Sequence, residues 1–376
     1  MGEQTSEQAP NAIQAQVRSI DAQSLQQDGS VWLSVLIPVY NVQAYLRECV
    51  ESIMQQASTG VEVLLFDDAS TDDSAHIALQ LQQQWPQAIR ILGHERNLGI
   101  SAVRNALLCH AQGEYLWFVD SDDALQPGAI RALQQVVQQS SPDVVLCDFR
   151  MWRNREKFKH RLRGERHCRS FVGPHGRLVH DTAALIEGLF LAGQMHPWSK
   201  ITKRSLWQAD ATSDPLQFPV GAYFEDMATM PRVLLRAQSF VYVPEVWVAY
   251  RQREGSILSS LSPAKAFDLG MALDAFGADY LRQVKVNGAL AAPGVQFAIA
   301  HLAARNYMSA LRIGERGQVA FSATQRNRMV EVFLQASALS VPQLFQHYLR
   351  RGWWARYLRA RRPLGQLHRM QGAVRG

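Results

Sequence analysis

Four short apolar runs, at residues 34–39, 61–66, 89–92 and 115–119, each close in a polar segment, and stretches with helically spaced apolar residues separate them. Runs this apolar read as strands buried on both faces, and a crossover helix between consecutive runs makes them parallel. The first third of the chain is thereby confined to an open α/β sheet with helices packed on it. Such sheets bind ligands at the carboxyl ends of their strands. Tyr40 and Asn41 follow the first run, Asp67 and Asp68 the second, Asn97 the third after a short loop, and Asp120 and Asp122 the fourth.

The most telling of these segments is 118–123, Phe-Val-Asp-Ser-Asp-Asp. On an extended backbone Asp120 and Asp122 point the same way, so together they are expected to hold a hard divalent cation, Mn2+ or Mg2+, completed by phosphate oxygens. A D-x-D alone is a weak signal, because a merely solvated acidic turn looks the same. Its companions are SVLIPVYN at 34–41, FDDASTD at 66–72, NLGISAVRN at 97–105 with a glycine turn at Gly99, PWSK at 197–200, FED at 224–226 and YRQREGSI at 250–257.

With these seven motifs in order, the chain resembles family 2 glycosyltransferases of the GT-A fold over residues 31–255. The resemblance implies an α/β GT-A domain, a Rossmann-like nucleotide-diphospho-sugar transferase with a mixed sheet flanked by helices, followed here by a C-terminal helical region. It further implies a hexosyltransferase-type enzyme that inverts the anomeric carbon and depends on a divalent metal. The donor would be a nucleotide-diphosphate sugar, by default a UDP-sugar, and the acceptor a glycan or lipid-linked glycan in surface polysaccharide synthesis. By the same resemblance Pro38, Tyr40, Asn41, Asp67, Asp68, Asn97, Arg104 and Asp120 serve the nucleotide, with Asp68 against the base or exchanging that role with Asp67. Arg104 reads equally as the partner in a helix-surface pair. Asp122 is the direct metal ligand, helped by Asp120.

One-step inversion needs a base that takes the acceptor hydroxyl's proton as the new bond forms. The matched residue is Asp226, with Glu225 orienting its neighbours; simple capping of the following helix is the bland reading of both acids. Trp198 and Lys200 would supply an acceptor platform and a cation, or else a buried Trp with a snorkelling Lys. Arg251, Arg253 and Ser256 would grip the diphosphate through forked donors. His196 reads as structural. The rival functions are a non-catalytic nucleotide-sugar or glycan-binding subunit on the same fold, and a retaining glycosidase using Asp122 and Asp226.

Composition sets the outer limits. No 18-residue window is cleanly apolar, the best, 288–304, being broken by Pro293, Gln296 and His301, so no membrane span is expected. Cys49, Cys109, Cys147 and Cys168 form no C-x-x-C pair, which fits a reducing compartment without structural zinc. Residues 1–30, rich in Gln, Ala and Ser, read as disordered, and carry a short myristoylation-like pattern of little weight. Residues 31–260 are expected to be catalytic, 261–340 an accessory helical region with helices over 264–284 and 295–313, and 341–376 a basic amphipathic tail.

The charge is uneven. From residue 332 onward there is no Asp or Glu, while eight arginines stand among Phe345, Tyr348, Trp353, Trp354 and Leu358. This pattern suits an anionic membrane surface, or a helix packed on the enzyme with a solvated basic face, and lacks any nucleic-acid reader motif. The expected location is therefore cytoplasmic, with peripheral attachment at the inner face of the plasma membrane. A second basic stretch, 150–169, is expected to form a hairpin after strand 143–149, solvated or touching lipid phosphate.

Overall fold

The computed structural model describes residues 18–19, 30–153, 158–209, 214–253, 262–316 and 321–374. Backbone contacts divide the chain into two compact units, residues 1–132 and 133–376.

In the first unit, strands β1 (Leu33–Val39), β2 (Val61–Asp67), β3 (Ile89–Gly93) and β4 (Tyr115–Phe118) alternate with helices α1 (Leu46–Met54), α2 (Ser74–Gln84) and α3 (Ile100–His110). They form a parallel sheet in the order β3-β2-β1-β4, with the two residues Arg18–Ser19 antiparallel to the outer side of β3. The expected α/β alternation is present because each strand is buried along nearly its whole length. Register brings the strand ends level: Val39 lies opposite Asp67, and Asp67 opposite Gly93. Pro38 falls beyond the last pair β1 makes with β4, Leu36 with Phe118, so its missing N–H leaves no rung of that ladder open. Gly99 (φ 84°) provides the left-handed turn that admits α3.

Helix α4 (Ala129–Ser140) spans the division. The strands of the second unit are β5 (Val144–Trp152), β6 (Leu178–Val179), β7 (Lys200–Lys203) and β8 (Phe240–Arg251).

 Strand β8 runs parallel to β5 from Phe240 opposite Val144 to Arg251 opposite Trp152, while β7 is antiparallel to β5 and β6 antiparallel to β8. The sheet of this unit is thus mixed.

Two expectations are corrected here. Strand β5 continues to Trp152, and residues 158–168 return as the short helix α5 (Phe158–Leu162) and a turn, not as the second strand of a hairpin. The segment returns to the sheet through the isolated bridge of Phe149 with Cys168 and the bond from Met151 N–H to Glu165 O. The helix expected over 264–284 is two helices, α8 (Pro263–Met271) and α9 (Asp274–Val286). The break falls at Ala272 and Leu273, where neither Gly nor Pro gives a sequence signal.

Helices α6 (Thr182–Ala192), α7 (Glu225–Leu235), α10 (Pro293–Arg316) and α11 (Ala323–Ala336) complete the unit with α12 (Val341–Arg350) and α13 (Trp354–Val374). The last two helices are tied to α10 at a buried histidine. His301 Nδ1 lies 2.9 Å from the Tyr348 hydroxyl, and Arg356 Nη1 donates to His301 Nε2 at 3.2 Å. Part of the face expected to meet lipid is therefore spent on packing: Tyr348 is buried, as are Leu344 and Leu364 of the same helices, whereas Trp354, Leu358, Arg359, Arg361 and Arg362 are exposed. Among the described residues no helix is long and apolar enough to cross a membrane.

Candidate active site

In the first unit the loops after β1 and β2 are laced together. Asn41 N–H donates to Ser70 Oγ at 3.1 Å, and Thr71 N–H donates to Asn41 Oδ1 at 2.8 Å. Gln43 N–H donates to Asp72 Oδ2 at 3.0 Å, and Val42 N–H to Ser74 Oγ at 2.9 Å. Asn41 (φ 50°) and Ala69 (φ 57°) are both left-handed without being glycine, a strain of about 1–2 kcal/mol each that this lacing offsets. Asn41 thus braces the strand edge. Tyr40 and Asn97 are exposed at this edge, and Pro38 is buried within it.

The two adjacent aspartates divide their work. Asp68 is 3% exposed, and its oxygens accept Leu98 N–H at 2.8 Å and Gly99 N–H at 2.9 Å. Burial pushes its pKa up, against the lowering effect of those two amides and of His94. Its carboxylate thereby fixes the glycine turn. Asp67, half-buried, is the one at the surface of the edge, where both oxygens meet Ser70 N–H at 3.3 and 3.4 Å.

The acidic clip is a turn, not extended chain. Asp123 N–H donates to Asp120 O at 2.9 Å, so the alternation expected of a strand does not operate beyond Phe118. The turn reaches a similar result by another route, leaving Asp120 and Asp122 half-buried with Ser121 and Asp123 inside. Arg104 is buried, and its Nη2 pairs with Asp120 Oδ1 at 3.0 Å. It orients the clip from beneath and is not part of a helix-surface pair.

No group of three or more His, Cys, Asp or Glu side chains with metal-binding geometry occurs among the described residues. Two partly accessible carboxylates nonetheless fit a hard cation that takes most of its ligands from water and substrate phosphates.

In the second unit, Phe224 is left-handed (φ 59°) at the N-cap of α7, and Glu225 and Asp226 follow in the first turn. Asp226 Oδ1 accepts its neighbour Met227 N–H at 2.7 Å, within the first turn of the helix, while the N-cap residue Phe224 supplies no side-chain cap. The other Asp226 oxygen lies 3.4 Å from His196 Nδ1, with the side chains 20% and 30% exposed, so solvent or substrate can reach both. Sequence reading missed this partner. The available signal was a histidine placed just before Pro197, whose turn aims the ring.

His196 stacks on Trp198 with centroids 4.8 Å apart, and Trp198 stacks in turn on Tyr250 at 5.4 Å. Trp198 is 1% exposed, so the open sugar platform expected of it is absent; it is the floor on which His196 lies. Lys200 is likewise buried and does not snorkel. Its Nζ donates to His196 O and Ser199 Oγ, both at 2.8 Å. Burial pushes its pKa down to about 7, opposed by the nearby Cys147 and Asp226. Arg251 at the end of β8 lies over the Trp152 ring at 3.6 Å, and Arg253 is half-buried just beyond. Ser256 lies outside the described residues.

Comparison with known proteins agrees with this layout. Residues 34–192 match the family model described as Glycosyl transferase family 2. The chain is 31% identical over 246 residues to the glycosyltransferase GlyG of Streptococcus pneumoniae serotype 4, covering 64% of this chain and 76% of that protein. It is 28% identical over 232 residues to GlyA of the same organism, covering 60% of this chain and only 31% of GlyA. In structure it is similar to residues 1–349 of S. aureus TarS, solved with UDP-GlcNAc: TM-score 0.62, 20% identity, 90% of this chain and 92% of that one.

A parallel sheet followed by a mixed one is the GT-A fold shared with that structure. The chain belongs to glycosyl transferase family 2.

Proposed function

We propose that the protein is an inverting, metal-dependent glycosyltransferase that moves a sugar from a UDP-linked donor to a lipid-linked glycan in surface polysaccharide synthesis. The observation that carries the chemical step is Asp226 Oδ2 beside His196 Nδ1 at 3.4 Å, a partly accessible carboxylate steered by a ring that is itself held on Trp198. The TarS complex with UDP-GlcNAc favours a uridine donor.

In this reading Pro38, Tyr40, Asn41, Asp67, Asp68, Asn97, Arg104 and Asp120 serve the nucleotide, and Arg251, Arg253 and Ser256 grip the diphosphate. Asp122 and Asp120 would hold Mg2+ or Mn2+, which when bound stabilises negative charge on the leaving diphosphate. Asp226 takes the proton of the acceptor hydroxyl as that oxygen bonds to the anomeric carbon. The bond from this carbon to the diphosphate breaks, its electron pair departs with the nucleoside diphosphate, and the configuration inverts. Glu225 steadies the start of α7. Residues 31–260 form the catalytic part, 261–340 the accessory helices, and the basic end of the chain a peripheral contact with an anionic membrane.

The test is calorimetric binding of UDP, GDP and dTDP, each with and without Mn2+ or Mg2+, repeated on Asp122→Ala. Metal-dependent binding of UDP that the variant loses is expected. Equal binding with and without metal in both proteins would remove the metal from the reading.

A further inference from the structure

The end of β5 and the segment returning through α5 enclose a cavity of about 420 Å³, lined among others by Arg150, Trp152, Arg153, His160, Glu165 and Arg166. Its walls are fixed. Met151 N–H donates to Glu165 O at 2.7 Å, and Phe149 and Cys168 exchange backbone hydrogen bonds at 3.2 and 2.7 Å. Below them the buried Asp148 accepts from Ser170 N–H at 2.9 Å and Tyr242 OH at 2.8 Å, and pairs with His167 Nε2 at 2.7 Å. These bonds tie residues 165–170 to β5 beside the cavity.

Its chemistry suits an oxyanion. Three guanidiniums face one carboxylate, and that carboxylate, Glu165, engages Arg153 through Nε at 2.8 Å, the nitrogen that a grip through the two terminal nitrogens does not need. The hydrogen bond from Arg153 holds the Glu165 carboxyl below its usual range, so it stays ionised and keeps the arginine aimed. The helix forming one wall carries Phe158 and Leu162 four residues apart, 73% and 74% exposed. A soluble phosphate has no use for these two side chains, whereas a phosphate at a bilayer surface brings apolar chains beside it.

We propose that this cavity receives a phosphate group carried on a lipid, with Phe158 and Leu162 entering the bilayer surface beside it. The inference rests on the lipid-linked acceptor of the proposed function, whose phosphate would occupy the arginines. Arg251, stacked on Trp152 of the same cavity, links it to the group assigned above to the donor diphosphate.

The experiment compares cosedimentation with phosphatidylcholine vesicles containing or lacking phosphatidylglycerol, alongside calorimetry with soluble glycerol 3-phosphate and with UDP. It uses the full chain, Arg150→Ala/Arg166→Ala and Phe158→Ser/Leu162→Ser. Binding to the anionic vesicles is expected to fall about tenfold or more in the arginine variant and clearly in the apolar variant. UDP binding should be unchanged in both. Vesicle binding equal to wild type in both variants would overturn the site, and arginine-dependent binding of glycerol 3-phosphate without vesicle binding would overturn its assignment to lipid. Loss of UDP binding by the unaltered protein, with vesicle binding intact, would count against the donor reading and leave this one standing.

Discussion

At the scale of single residues, the acids of the chain are sorted by burial and not by motif. Asp226 and Asp68 both stand in short acidic motifs, yet one is partly accessible beside a histidine and the other is enclosed by two amides. Asp226→Asn should lower transfer about a thousandfold or more while leaving UDP binding and the melting temperature unchanged, since a general base contributes roughly 10²–10⁴ in rate. Turnover near the wild-type rate would remove the base assignment. Lys200 gives a second test. With its folded pKa near 7, below the ordinary 10.5, the unfolded chain binds the extra proton between those values, so stability rises with pH across that window. Chemical denaturation of Lys200→Met between pH 7 and 10 should lose this slope, at most about 1.4 kcal/mol per pH unit.

At the scale of elements, turns and caps do more for the candidate site than the helices and strands they join. Asp68→Asn keeps one acceptor oxygen where the two amides of Leu98 and Gly99 need two, so urea denaturation should show a loss of about 1–3 kcal/mol. Unchanged stability would show that the turn does not depend on that carboxylate. The C-terminal helices have their own pH dependence. Burial first, then Arg356 and Arg305, pushes the His301 pKa down from 6.5 to about 3. The unfolded chain therefore takes up a proton that the folded protein refuses, and stability falls as pH drops through this window. Thermal melts of His301→Gln should lose less stability than wild type between pH 6.5 and 4.

At the scale of the whole molecule, a formal charge of +6 hides a basic C-terminal end. Because Leu344 and Tyr348 pack inward, deleting that end would uncover α10, and a surface substitution is the cleaner probe. Arg359→Gln/Arg361→Gln/Arg362→Gln should weaken binding to phosphatidylglycerol vesicles, by about 1 kcal/mol per arginine near the surface, without changing the melting temperature. Binding equal to wild type would limit the membrane contact to other surfaces.

The βα alternation, the glycine turn at Gly99 and the seven motifs were legible in the chain itself, because they rest on local periodicity and on residue types that a strand edge or a left-handed turn demands. The pairing of Arg104 with Asp120, the burial of Trp198 and Lys200, and the meeting of His196 with Asp226 were not. Each depends on side chains far apart in sequence, or on how much solvent a neighbour leaves, and neither quantity has a periodicity to read. The arginine cavity lies between these cases: its charges stand plainly at 150–169, but their convergence follows from Asp148 and the backbone bonds that fold the segment back on β5.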